Sequence, residues 1–383
     1  MQLFDYQSRT RFIAGIDAID ELGPLAREWA CRRALVVSDA GVVAAGHTSR
    51  GLNSLQQAGL EIHCFDGVHE NPTTEHVDAG TRVARDFAPD LLIGLGGGSS
   101  MDCAKGINFL LTNGGRMSDY WGVDKAALPM LPMIAVPTTA GTGSEAQSFA
   151  LISDAETHVK MACGDAKAAF RAAILDPQLT VTQPHRVTAL TGIDALSHAI
   201  ESHVTTRRNP ISTMFSREAF RLLATHLHIV LKSPEDLTAR ANMQLGACLA
   251  GLAIENSMLG ATHALANPLT ASFDLAHGEA IGIMLPHVIR FNASVAEVWY
   301  QELLHTVGDL IPESSAMSAA ERLADFVSAT VAAGGVCGRL QAAGITPQQL
   351  ASLASAATSQ WTGQFNPRPV NQAQFSQLYQ QAL

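Results

Sequence analysis

Short aliphatic runs alternate with amphipathic stretches through the first half of the chain. Ala34-Leu-Val-Val-Ser38, Leu60-Glu-Ile-His-Cys64, Leu91-Leu-Ile-Gly-Leu95 and Met133-Ile-Ala-Val136 are apolar, brief and bounded by Gly, Pro or Asp, which predicts strands. Between them, 49–58 and 75–87 carry apolar positions at helical spacing. Strands separated by helices predict a parallel sheet with crossover helices. Two further runs, Phe149 to Ser153 and Val159 to Cys163, are joined by a polar Asp154-Ala-Glu-Thr157 and predict a hairpin appended to that sheet.

The texture changes after Asp176-Pro177 and Pro184. From Arg186 onward strand-like runs almost disappear, and Ala/Leu-rich stretches at 187–203, 212–231, 239–254 and 318–333 read as helices. The expected organisation is an α/β nucleotide-binding domain over 1–183 and an all-α domain over 184–383, with the boundary near 177–186. No internal repeat or low-complexity tract interrupts either half.

A chain of 383 residues can build two buried cores, and 47% hydrophobic with 16% charged residues is a globular composition. The 25 basic and 35 acidic side chains give a net charge of −10, opposite in sign to a nucleic-acid binder's footprint. The N-terminus lacks a basic segment followed by an apolar one, so nothing suggests secretion. Glu255, Asn256, His263 and Asn267 break the most apolar window, 245–275, so no membrane span is expected. Six cysteines are scattered without a C-x-x-C pair, the pattern of reduced thiols in a cytoplasmic protein.

Three segments carry candidate chemistry in the first half. Asp90-Leu-Leu-Ile-Gly-Leu-Gly-Gly-Gly-Ser-Ser-Met-Asp102 runs from a strand through Gly96, Gly97 and Gly98 into a helix start. Bare glycines let a pyrophosphate approach the backbone, and free N–H groups at the helix start bind the anion. Ser99 stands where G-x-G-x-x-G requires glycine, so the standard dinucleotide fingerprint fails. Val136-Pro-Thr-Thr-Ala-Gly-Thr-Gly-Ser-Glu145 gathers Thr138, Thr139, Thr142 and Ser144 after another strand, either as a polar ligand loop or as a capped turn. Asp39 ends the first strand; its carboxylate can accept from ribose hydroxyls, favouring NAD, or cap a helix.

The second half offers metal-ligand chemistry. Asp194 and His198, one helical turn apart, project from one face, and His263 and His277 follow downstream. Three imidazoles and a carboxylate suit Fe(II) or Zn(II). Buried histidines with hydrogen-bond partners explain such spacing equally well, in a chain with 14 of them.

Taken together, these segments resemble the iron-dependent (group III) alcohol dehydrogenase family. The matching motifs are Gly-Gly-Gly-Ser-Ser-Met-Asp (96–102) with Lys105, Pro-Thr-Thr-Ala-Gly-Thr-Gly-Ser-Glu (137–145), Asp176-Pro177, Gly-Ile-Asp-Ala-Leu-Ser-His-Ala-Ile-Glu (192–201), His263-Ala-Leu-Ala and His277-Gly278. Leu285-Pro-His-Val-Ile-Arg-Phe-Asn292 and Asn366-Pro-Arg368 extend the likeness almost end to end. It implies a Rossmann-like parallel sheet followed by a helical domain, in a dehydroquinate synthase-like architecture. It implies hydride transfer between NAD and a small primary alcohol or aldehyde in an interdomain cleft, by a homo-oligomer. Asp194, His198, His263 and His277 match the metal ligands. Gly97, Gly98 and Ser99 match the pyrophosphate turn, Asp102 of the same motif is a cofactor-binding position, and Thr138, Thr139, Thr142 and Ser144 match the adjoining loop. Asp39 and Asn71 match adenosine-side contacts, and Lys160 a ribose-side lysine.

One position departs from the family pattern: Asn267 stands where relatives carry a histidine often assigned to proton relay, and an amide cannot shuttle protons near neutral pH. That departure leaves open a different proton route, a different substrate subclass, or a weakened nucleotide-binding relative. A zinc polyol dehydrogenase or a sugar-phosphate cyclase of the same fold are lesser alternatives, the cyclase metal set having a glutamate in place of Asp194.

Overall fold

A computed structural model describes residues 3–383, which divide into two compact units. The α/β unit spans Gln7–Thr139 and Gly143–Thr182. In chain order it carries β1 (Arg11–Ala14), α1 (Leu22–Glu28), β2 (Arg33–Asp39), α2 (Ala40–Ala44), α3 (His47–Gln57), β3 (Glu61–Val68), α4 (Thr74–Phe87), β4 (Leu91–Gly96), α5 (Gly98–Asn113), β5 (Gly122–Val123), β6 (Met133–Pro137), β7 (Phe149–Ser153), β8 (Lys160–Gly164) and β9 (Ala172–Leu175). Six strands form a wholly parallel sheet in the order β1-β9-β6-β4-β2-β3.

The continuous apolar runs of β2, β4 and β6 follow from burial on both faces of that sheet. Leu35, Val37 and Leu92 join Val77, Ala84, Ile107 and Phe109 of α4 and α5 in one apolar layer. Ala34, Val36, Ile93, Leu95 and Val136 join Leu22, Leu25 and Leu55 of α1 and α3 in the other. Alternation along each strand thus feeds both layers.

β7 and β8 pair antiparallel, Phe149 opposite Gly164 and Ser153 opposite Lys160, as the expected hairpin. They do not extend the large sheet, however. With β5 they make a separate three-stranded sheet, because β7 is tied to α5: Lys105 Nζ donates to Phe149 O at 2.7 Å, and Leu151 N donates to Asp102 Oδ2 at 3.3 Å.

The second unit comprises Gln183–Leu383 with Ala140–Thr142 and the first described residues. Its helices are α6 (His185–Val204), α7 (Pro210–Lys232), α8 (Leu237–Ser257), α9 (Ala261–Phe273), α10 (His277–Leu304), α11 (Ala319–Ala333), α12 (Leu350–Thr358) and α13 (Gln372–Ala382). From Gly192 to Val204 every residue of α6 is buried, so this helix is packed on all sides. Its polar side chains must therefore be satisfied inside the protein. No single helix among the described residues is long and apolar enough to cross a membrane; α8 and α9 reach that length only together, across a 107° bend.

Candidate active site

The carboxyl ends of β2 and β4 are where the parallel sheet reverses its direction of winding. The chain leaves β2 towards β3 on one side and leaves β4 towards β6 on the other, so the connecting loops diverge and open a crevice. Asp39 ends β2 and Gly96 ends β4. Asp39 caps α2, Oδ1 accepting from Val42 N at 3.0 Å, while Oδ2 accepts from Ser100 Oγ at 3.2 Å. That second bond holds the carboxylate against the first turn of α5.

Gly97 is the N-cap of α5 and no side chain caps that helix, so its first N–H groups offer an anion site. Gly96 adopts φ +153, and a Cβ there would stand 2.4 Å from Ser100 Oγ. Thr138 N donates to Gly96 O at 3.0 Å, which places Thr138 and Thr139 beside the glycines. Asn71 turns the chain after β3 with φ 52. Ser153 N donates to Pro72 O at 2.9 Å and Lys160 pairs with Ser153, so Lys160 lies at the hairpin end next to the Asn71 turn. Asp39, Asn71, Gly97, Gly98, Ser99, Thr138, Thr139 and Lys160 thus belong to the carboxyl edge of the sheet and its flanking hairpin.

Asp102 and Ser144 are engaged differently, inside a buried polar knot. Ser144 Oγ donates to Asp102 Oδ1 at 2.6 Å. Lys105, fully buried, donates from Nζ to Ser144 O at 2.9 Å and Ser144 Oγ at 2.8 Å, with Asp102 Oδ1 at 3.5 Å. The knot fastens the hydroxyl-rich loop to α5. Glu145, next along the chain and 2% exposed, has its pKa pushed up by burial to about 7 against the pull of Lys105. Thr142 is half-buried and belongs to the 140–142 segment that groups with the helical unit.

In the helical unit, α6 supplies Asp194, His198 and Glu201, at intervals that align them along one stripe of the helix. His263 sits in the first turn of α9, and His277 opens α10. Gly278 lets α10 come this close to α6, since a Cβ there would stand 2.3 Å from Leu190 O. Asp194 Oδ1 lies 3.4 Å from His198 Nε2, 3.5 Å from His263 Nε2 and 3.7 Å from His277 Nε2. His198 Nε2 and His263 Nε2 are 3.1 Å apart, with their rings stacked at 4.9 Å. Donor atoms of Asp194, His263 and His277 all fall within 4.8 Å of one another.

Four ligands held tetrahedrally at ~2.1 Å from one metal stand ~3.4 Å apart. The measured spacings centre on that edge length. Asp194 Oδ1 is buried and accepts no hydrogen bond, a costly arrangement for a carboxylate oxygen unless a cation takes it. Burial opposes its ionisation, yet the facing imidazoles of His198, His263 and His277 outweigh burial and hold it well below the usual carboxylate range. Burial likewise disfavours charge on His263, but Asp194 and Glu201 overcome it and raise that imidazole to about 9. His198 is shifted down, chiefly by burial. Positive charge is thus favoured at the point where the four side chains meet, and these residues could hold a divalent metal there.

Asn267 lies one turn beyond His263 on the same face of α9, and its Nδ2 donates to Gln360 Oε1 at 3.0 Å. Two further contacts around these ligands are not marked by the sequence pattern. Glu201 contacts His263 directly, from the third polar position of the α6 stripe. Asn366 and Asn292 exchange hydrogen bonds of 2.8 and 3.0 Å, and Asn366 Oδ1 accepts from Ala261 N at 3.3 Å at the start of α9. The 285–292 and 366–368 motifs meet there, where Arg368 also donates to Phe291 O at 2.7 Å.

Comparison with known proteins gives a consistent answer. The family model described as iron-containing alcohol dehydrogenase matches residues 9–177, and the C-terminal model of the Fe-containing alcohol dehydrogenase family matches 188–383. The 1,3-propanediol dehydrogenase of Klebsiella pneumoniae is 32% identical over 384 residues, covering 100% of this chain and 99% of that protein. The NAD-dependent methanol dehydrogenase of Bacillus methanolicus is 32% identical over 371 residues, covering 97% of each. A crystal structure of a 1,3-propanediol oxidoreductase superposes with a TM-score of 0.96 at 32% identity, covering both chains completely.

Proposed function

This chain belongs to the iron-containing alcohol dehydrogenase family, and we propose that it transfers hydride between NAD and a small primary alcohol or aldehyde, using a divalent metal held by Asp194, His198, His263 and His277. Fe(II) is the metal the family name indicates, and Zn(II) accepts the same donors. The observation that carries this reading is the buried Asp194 Oδ1, without a hydrogen bond and within 3.7 Å of three imidazole nitrogens.

When bound, the metal supplies Lewis acidity that favours an alkoxide or polarises a carbonyl, and the nicotinamide supplies the hydride acceptor or donor. The residues of the chain do the rest. Asp194 gives one negative charge to the cluster, and the imidazoles give neutral donors. The bare turn at Gly97, Gly98 and Ser99 takes the pyrophosphate of NAD at the uncapped start of α5. Asp39 accepts from ribose hydroxyls and repels a 2′-phosphate, which selects NAD over NADP. Asn71 and Lys160 contact the adenosine and ribose side, and Thr138, Thr139 and Thr142 complete the cofactor loop. Asp102 and Ser144 serve that loop through the Lys105 knot, from within.

The proton released from the alcohol does not pass through Asn267, whose neutral amide is bonded to Gln360. It leaves instead through water or a cofactor hydroxyl, and Asn267 presents a fixed polar group to the substrate.

The test is aldehyde-dependent NADH oxidation by metal-stripped protein reloaded with Fe(II) or Zn(II), over a panel of short, hydroxylated and charged aldehydes. Turnover with at least one aldehyde, restored by metal, is the expected result. Saturable NADH binding without turnover under either metal would replace this reading with a nucleotide-binding relative that has lost its chemistry. Substrate conversion without net change in NADH would point to a cyclase.

A further inference from the structure

Glu201 is 3% exposed and lies on α6 in line with Asp194 and His198. Its two carboxylate oxygens take two successive residues of α9. Oε1 accepts from Thr262 N at 2.7 Å, and Oε2 meets His263 Nδ1 at 2.5 Å. A carboxylate only accepts, so the proton of that second bond belongs to Nδ1. The opposite ring nitrogen, Nε2, is the atom 3.1 Å from His198 Nε2 and 3.5 Å from Asp194 Oδ1. One side chain therefore fixes the backbone, the ring plane and the tautomer of His263 together.

We propose that Glu201 is a positioning residue of the metal centre: without touching the metal, it aims the Nε2 lone pair of His263 at the cluster and is required for tight metal binding. This rests on the metal-centre reading given above. Charge supports it, since the two buried carboxylates Asp194 and Glu201 balance a divalent cation. The start of α9 supports it too, because negative charge is favoured at a helix N-terminus.

Glutamine cannot replace this carboxylate. Thr262 N and His263 Nδ1 lie against different oxygens of the carboxylate, and glutamine keeps only one of the two. Its amino group, turned to His263, would draw the ring into the tautomer with the proton on Nε2, where the metal must bind. Loss of such an outer partner typically costs 10–100-fold in metal affinity.

The experiment is chelator-competition titration of the stripped full-length chain with Zn(II), together with the visible absorption of bound Co(II). Wild type, Glu201→Gln and Glu201→Asp are compared, with NADH affinity measured on each. We expect Glu201→Gln to bind metal 10–100-fold more weakly with an altered Co(II) spectrum, NADH affinity within twofold of wild type, and Glu201→Asp to fall between the two. Glu201→Gln binding metal within threefold of wild type would overturn the proposal. Should that variant not fold, nitrogen-15 histidine NMR of the Zn(II)-loaded wild type decides: a proton on His263 Nδ1 is expected, and metal on Nδ1 overturns. Failure of the wild type to take up one metal would instead defeat the metal-centre reading itself.

Discussion

Replacing Gly97 by alanine separates nucleotide binding from folding. Gly97 has an ordinary φ of −74, so alanine is conformationally acceptable there. Its Cβ would meet Thr139 Cγ2 at 3.3 Å and Thr139 Oγ1 at 3.6 Å, contacts relieved by a shift of a few tenths of an ångström. Stability should change by no more than about 1 kcal/mol. The methyl group, however, stands on the bare turn where a phosphate oxygen must come within about 2.9 Å of a backbone N–H. Weakening one or two charge-assisted hydrogen bonds, each worth roughly 1.5–3 kcal/mol, raises the Kd for NADH by ~10- to 100-fold or more. Calorimetric titration with NADH, alongside a thermal midpoint, measures both quantities. NADH binding within threefold of wild type at an unchanged midpoint would refute the assignment of the pyrophosphate to this turn.

Two further predictions concern the buried polar knot under the cofactor loop. Glu145 has a folded pKa near 7 against 4.5 for a free side chain, so the native state holds its proton more tightly than the unfolded state does. Its contribution is fully present below about pH 4.5 and lost as pH rises through 7, a decline of roughly 3 kcal/mol; urea denaturation of Glu145→Gln across that window should show a shallower decline, and an identical slope would refute it. Lys105→Met leaves the buried Asp102 carboxylate and two backbone carbonyls without their cation, and should lower unfolding free energy by about 3–5 kcal/mol; a urea midpoint equal to wild type would show that the knot does not depend on it.

The parallel sheet was legible where both of its faces are covered. β2, β4 and β6 send aliphatic side chains into both layers, so their runs stand out without any partner being known. β1 and β9 escaped notice for a different reason. β9 is Ala172-Ala-Ile-Leu175, whose alanines favour helix and carry no strand signature, and the short β1 is half-exposed at the sheet edge. The hairpin was readable as a pairing, but its attachment depends on Lys105 and Asp102 reaching β7, a tertiary fact that periodicity does not encode. The histidines were visible as residue types, whereas their convergence depends on three helices meeting. Glu201 shows the limit most clearly. It sat in a quoted motif, yet its role emerges only when Thr262 and His263 are seen to lie against its two oxygens.

Metal content, NADH affinity and turnover of His263→Ala, measured side by side with wild type, test the metal centre most directly. We predict about one equivalent of Fe(II) or Zn(II) and metal-dependent turnover for wild type, against loss of both with near-normal NADH binding for the variant. A variant that retained wild-type metal content and full turnover would contradict the assignment of His263 to the metal centre, and with it the chemistry drawn from the Asp194 cluster.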